Sequence, residues 1–245
     1  MATRGRDIAV LIAVILLVWQ GLFQFAGTGA LTAPLDTFAL ALKLVGAASF
    51  WPHLNETGNA FFRALAIAIV AGLAIGIALG AHRLSGEVAE PILVALYSIP
   101  KVTLYPVVLL FFGIGMSAKI AFGAIHGIVP IAIFAINAVR SLNPIYLKTA
   151  RVLKLGPWRT ARKVLLPAAL PEIFTGLRVG FSLTLVGTLI GEMFGSQRGL
   201  GYLLMTAIGL HKIDTIMAVT LLLVIFATTV NSTLLVIDYR LHRRV

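Results

Sequence analysis

Six apolar runs divide this chain: residues 8–26, 64–81, 91–112, 120–138, 173–194 and 215–237. A hydrocarbon core about 30 Å thick needs roughly 20 apolar residues per crossing helix. Inside it no water satisfies a stray backbone N–H or C=O, so crossing segments are helices or closed barrels. Apolar runs of this length predict an all-α membrane bundle of about six spans. Composition agrees: 59% of the residues are hydrophobic, only 12% are charged and mean hydropathy is +0.99. A soluble domain carries roughly twice that share of charge.

The first run follows Arg4 and Arg6 and exceeds the apolar core of a secretory signal. It reads as an uncleaved span with its N-terminus inside. Residues 35–50 are interrupted by Asp36 and Lys43 and read as an interfacial helix, followed by a polar turn from Pro52 to Asn59. Leu200 to Leu210 is apolar but too short to cross, so it is expected to be a re-entrant or outer-surface element. With this topology the inner segments hold Arg4, Arg6, Arg83, Arg140, Lys148, Arg151, Lys154, Arg159, Arg162, Lys163, Arg240, Arg243 and Arg244. The outer ones hold only Lys43, Lys119, Arg198 and Lys212. That bias places both termini and the long polar stretch on the cytoplasmic side. It also accounts for the net charge of +11 through anionic lipid rather than nucleic acid. The expected division is an N-terminal helix and interfacial segment over 1–56, a transmembrane domain over 57–238 and a basic tail over 239–245.

The longest polar break runs from Asn143 to Pro171. Asn143 is a helix cap, and Pro144 fits the first helical position, where a missing N–H is harmless. Gly156 is expected to close that helix. Pro157 then opens a second short helix that ends near Leu166-Pro167. Lys148, Arg151 and Lys154 share one face at i, i+3, i+6, with Leu147, Ala150 and Leu153 beside them. The stretch predicts a knob on the membrane surface, offered to a partner outside the lipid.

Within the spans, Lys101 is the sharpest residue. A lysine that deep costs about 3 kcal/mol, Pro100 opens the helix beside it, and Pro106, six residues on, is expected to break the same span again. It faces a solute path that favours anions, or pairs with an acid such as Glu192, or snorkels to an interface. Ser98 and Lys101 match a Ser-x-x-Lys pattern known from hydrolases, but Pro100 disturbs the turn and no companion motif follows. Arg178 and Glu192 are gating or packing charges. His126 and Asn137 suit hydrogen bonds between helices. Glycine rows at Gly72, Gly76 and Gly80, at Gly123 and Gly127, at Gly176 and Gly180, and at Gly187, Gly191 and Gly195 predict close helix packing, and open a self-interface. Cysteine is absent, and the five histidines have no metal-ligand spacing. Gly195 to Gly201 has the glycines of a phosphate cradle without its Gly-Lys-Ser/Thr ending. No ATP site, catalytic residue, metal or cofactor is therefore expected in this chain.

From Lys148 to Pro167 the sequence resembles the cytoplasmic signature of binding-protein-dependent ABC importer permeases: Glu-Ala-Ala, three residues, Gly, nine residues, Ile, one residue, Leu-Pro. Lys148-Thr149-Ala150, Lys154, Val164 and Leu166-Pro167 occupy its positions, with Lys in place of both the Glu and the Gly. Over roughly Asn59 to Arg240, Ser98-Ile-Pro-Lys-Val, Phe111-Phe-Gly-Ile-Gly, Leu166-Pro-Ala-Ala-Leu-Pro, Thr175-Gly-Leu-Arg, Gly191-Glu-Met and Gly199-Leu-Gly-Tyr resemble the nitrate/sulfonate/taurine/bicarbonate branch. The resemblance implies a permease subunit without its own ATPase site. Leu147, Lys148, Thr149, Ala150, Arg151, Lys154 and Gly156 would couple it to ATPase subunits that hold ATP and Mg. An extracytoplasmic binding protein would deliver a small anion to a path at Ser98, Pro100, Lys101 and Glu192, in a dimer of permease copies. The competing reading is an ATP-independent secondary carrier or channel, which would place ionisable residues in several spans and duplicate its halves.

Overall fold

The computed structural model describes residues 2–242, and every element in it is helical. In chain order these are α1 (Ala2–Ala26), α2 (Pro34–Gly46), α3 (Trp51–Gly80), α4 (Arg83–Ser98), α5 (Tyr105–Phe112), α6 (Met116–Arg140), α7 (Pro144–Val152), α8 (Pro157–Thr160), α9 (Leu166–Gly195), α10 (Leu200–Gly209) and α11 (Ile213–His242). Among the described residues, five helices are long and apolar enough to cross a membrane, and α4 and α5 together make a sixth, broken crossing.

The core is the packing of α3, α6 and α9. Glycine lets their backbones meet: a Cβ on Gly72 would stand 2.7 Å from the Cβ of Ile131, and one on Gly127 would stand 2.8 Å from that of Ala68. Gly187 likewise sits against the His126 ring, at 2.7 Å. No side chain larger than hydrogen fits such contacts, and van der Waals attraction between close backbones is the chief cohesion available in lipid. The glycine rows thus serve contacts within one chain. α1 stands apart: none of its apolar window is buried, and Trp19 donates its indole N–H to Thr32 O at 3.1 Å.

Three local expectations need correction. The polar segment Pro52 to Asn59 is not a turn but the start of α3, because Pro52 fits the first turn of a helix. α3 runs unbroken from Trp51 to Gly80, and α11 is helical as far as His242. The third crossing breaks only once, at Ile99-Pro100, where α4 and the segment from Lys101 to Phe112 meet at 84°. Pro106 falls in the opening turn of α5, and so costs no hydrogen bond. The helix that Pro157 opens does not end at Leu166-Pro167. It passes through a π-turn at Ala161–Leu165, with Leu166 N–H bonded to Ala161 O, and runs on as α9 through Pro167 and Pro171. A π-turn shifts the bonding register, and the neighbouring prolines fit where an i→i−4 partner is already lost.

Candidate functional site

At one end of the bundle α7 stands proud. Asn143 Oδ1 accepts the Ile145 N–H at 3.0 Å, so the cap forms as its residue type dictates. Ala150 is buried and anchors the helix, while Lys148, Thr149, Arg151 and Lys154 are exposed with Val152, Leu153 and Trp158. Of Leu147 only the backbone is described. Gly156 does not close α7. The turn closes two residues earlier: Lys154 adopts φ +48°, Leu155 N–H reaches Ala150 O and Lys154 N–H reaches Arg151 O, each at 3.0 Å. This is a Schellman ending with lysine at the left-handed position that normally selects glycine. It explains the spacing of the signature, because Lys154 occupies the position of the motif's Gly.

Beside this end a cavity of about 1070 Å³ opens between α3, α4, α6 and α9. Arg140 of α6 crosses part of it, pairing with Glu90 at 2.7 Å and Glu87 at 3.7 Å on α4. Arg178 of α9 meets Asp238 of α11 at 3.5 Å, and Thr175 donates to the same carboxylate. Paired charges therefore join α6 to α4 and α9 to α11 near this end.

At the kink between α4 and α5, Lys101 is half-buried. Its ammonium donates to Tyr97 O at 3.0 Å and rests 4.6 Å from the Tyr97 ring centre. The break leaves Tyr97 O without its helical partner, and the lysine supplies one. Ser98 Oγ donates instead to Val94 O at 2.9 Å, so Ser98 and Lys101 form no nucleophile–base pair. Neither pairs with Glu192.

Glu192 lies at the opposite end from α7, fully buried. Its cation is Lys119, which sequence reasoning left in a loop. Lys119 is in α6, also fully buried, with its ammonium 2.9 Å from Glu56 Oε1 and 3.8 Å from Glu192 Oε1. It donates as well to Ser196 Oγ at 3.0 Å and Arg198 O at 3.3 Å. Thr57 donates to Glu192 Oε2 at 2.8 Å and accepts from Leu200 N–H at 2.8 Å. Gly201 N–H reaches Glu192 Oε2 at 3.0 Å, and Gly199 N–H reaches His53 Nδ1 at 3.1 Å. The first N–H groups of α10 are thus capped by side chains of α3 and α9, and a carboxylate sits where the helix dipole favours one. Gly199, at φ +122°, has no room for a Cβ because the Glu192 carboxylate fills that space. The resemblance of Gly195 to Gly201 to a phosphate cradle goes no further, since these donors are already engaged. The missed signal was spacing: His53, Glu56 and Thr57 share a face at i, i+3, i+4, and a buried Glu192 demands a cation.

His126 Nδ1 bonds Phe122 O within its own helix at 2.8 Å and not a neighbouring helix. Asn137 lines the cavity beside α7. Among the described residues no cluster of His and carboxylates could hold a metal.

A helical body spanning the membrane, stapled internally by charge pairs and presenting a capped, basic and apolar helix beyond the lipid, defines a membrane component built to meet a partner. The chain belongs to the family of binding-protein-dependent transport system inner membrane components, whose model matches residues 59–245. An ABC transporter permease of Haemophilus influenzae is 29% identical over 96% of this chain and 94% of its own length. The taurine transport permease of Escherichia coli is 28% identical over 84% of this chain and 78% of its own. The bicarbonate transport permease of Synechococcus elongatus is 29% identical over 83% and 78%. A chain of the MetNI methionine ABC transporter in an inward-facing conformation superposes with a TM-score of 0.65 at 24% identity, over 76% of this chain and 93% of that one; this likeness is one of fold. The protein is a permease subunit of an ABC importer, a multi-pass membrane protein whose family works with ATPase and binding-protein partners.

Proposed function

We propose that this chain forms, with a second copy of itself, the path for a small organic or inorganic anion across a bacterial inner membrane. An extracytoplasmic binding protein delivers the anion, and separate subunits hydrolyse ATP with Mg. Both termini and α7 are cytoplasmic, as the Lys and Arg bias of the loops supports. The observation that carries the reading is α7, a short helix rooted by Ala150 with Lys148, Thr149, Arg151 and Lys154 turned outward beside exposed Val152 and Leu153. Such a surface has no use in lipid and suits a groove on an ATPase. Its positive charge asks for acidic residues in that groove, opposite Lys148 or Lys154. The names of the taurine and bicarbonate relatives support an anionic solute. So does Lys101, a half-buried cation at the break that Pro100 makes between α4 and α5.

Proteoliposomes holding this chain with its cognate ATPase and binding protein test the reading. Taurine, bicarbonate and nitrate uptake is measured with ATP inside. ATP-driven uptake of one of them, reduced by Lys101→Met, is the expected result. Uptake unchanged by Lys101→Met removes that residue from the path. Uptake without the ATPase removes the importer reading altogether.

A further inference from the structure

Arg63 has no role in any contact described above. It is exposed on α3 and, among the described residues, makes no hydrogen bond or ion pair. It stands immediately before the uncharged run 64–81. At 1.5 Å per residue that run covers about 27 Å, close to the roughly 30 Å of a hydrocarbon core. Arg63 therefore sits at the headgroup level on the side of the membrane that carries the Lys119 cluster. Beside it a cleft of about 580 Å³ is lined by Leu54, Phe61, Phe62, Leu222 and Phe226, with Arg63 on its wall. That volume is in the range of clefts that hold a ligand.

We propose that this cleft binds one anionic phospholipid, its phosphate on Arg63 and an acyl chain against Phe62 and Phe226. A guanidinium offers a phosphodiester two parallel donors. The apolar walls offer the chain a surface rougher than free lipid, which it fills by close contact. A second copy of the protein is a poorer occupant. Its unpartnered helix α1 has no acidic residue other than Asp7 near its start, so it brings no charge to Arg63. Glu87 and Glu90 on α4 are already held by Arg83 and Arg140.

The test is native mass spectrometry of the full chain released from mixed micelles with equal phosphatidylglycerol and phosphatidylcholine. One retained phosphatidylglycerol per chain is expected, favoured about fivefold over phosphatidylcholine, the effect of one basic residue near anionic lipid. Arg63→Gln should abolish the preference and Arg63→Lys should keep part of it. Leu223→Trp, which fills the cleft, should lower retention of both lipids. Equal retention of the two lipids by the unaltered protein overturns the proposal, and so does a preference that survives Arg63→Gln. Disulfide cross-linking of Phe226→Cys to an α1 cysteine of a second copy would assign the cleft to the protein and overturn it too.

Discussion

Replacing Lys154 with glycine should make α7 more stable. Lys154 holds φ +48°, a conformation in which an L-residue's Cβ crowds the following carbonyl at a cost of roughly 1–2 kcal/mol. Glycine escapes that cost but surrenders more chain entropy, by about 0.5–1 kcal/mol. The net gain is about 1 kcal/mol at the helix end, or roughly fivefold in the opening equilibrium of the turn. Hydrogen exchange reads it at the two amides that form the ending, Lys154 N–H to Arg151 O and Leu155 N–H to Ala150 O. Their exchange should slow about fivefold in Lys154→Gly, if opening follows the energy above. Lys154→Ala removes the same charge but keeps the Cβ, so it should leave the rates near those of the unaltered protein. Gly156→Ala should also change little, because a Cβ there meets nothing within 4 Å. Equal slowing in the alanine and glycine variants would show that charge, not backbone conformation, governs the turn, and would refute the argument.

Three further outcomes follow from the packing. Lys119→Met strands Glu56 and Glu192 without their ammonium, and should cost about 3–5 kcal/mol, read as a lower unfolding midpoint in detergent; adding Glu192→Gln should recover part of it. Gly199→Ala combines φ +122° with a collision against the Glu192 carboxylate, and should cost about 1–3 kcal/mol, seen as loss of exchange protection at Leu200 and Gly201. Gly76→Val pushes a side chain into Ala135 and the Ala132 carbonyl. It should destabilise the protein by about 1–3 kcal/mol in the same melting assay, with little effect from Gly58→Val, where space is open.

The spans were legible because the need to bury backbone in lipid leaves long apolar runs. The cap at Asn143 and the glycine contacts were legible for similarly local reasons: a side-chain oxygen two residues from an orphan N–H, and a repeat every fourth residue. What was not legible depends on which helices meet. Lys119 stands one residue before an uncharged run and reads as a loop cation until α3 and α9 bring Glu56 and Glu192 to it. The Pro52 to Asn59 segment reads as a turn by polarity alone, although His53, Glu56 and Thr57 face the start of α10 and Lys119. Proline signals were ambiguous in the same way. Pro100 breaks its helix, whereas Pro91, Pro130 and Pro171 are carried inside helices. The left-handed turn was placed at Gly156 because glycine is the usual choice, and the chain instead uses Lys154.

The central claim is that α7 is the cytoplasmic surface through which an ATPase moves the bundle. The chain has no cysteine of its own, so Val152→Cys places a single thiol on the exposed side of α7. In intact cells a membrane-impermeant maleimide should fail to label it, and in inverted vesicles the same reagent should label it unless the cognate ATPase is bound. Labelling from outside intact cells, or labelling in inverted vesicles that the bound ATPase leaves unchanged, would contradict the account.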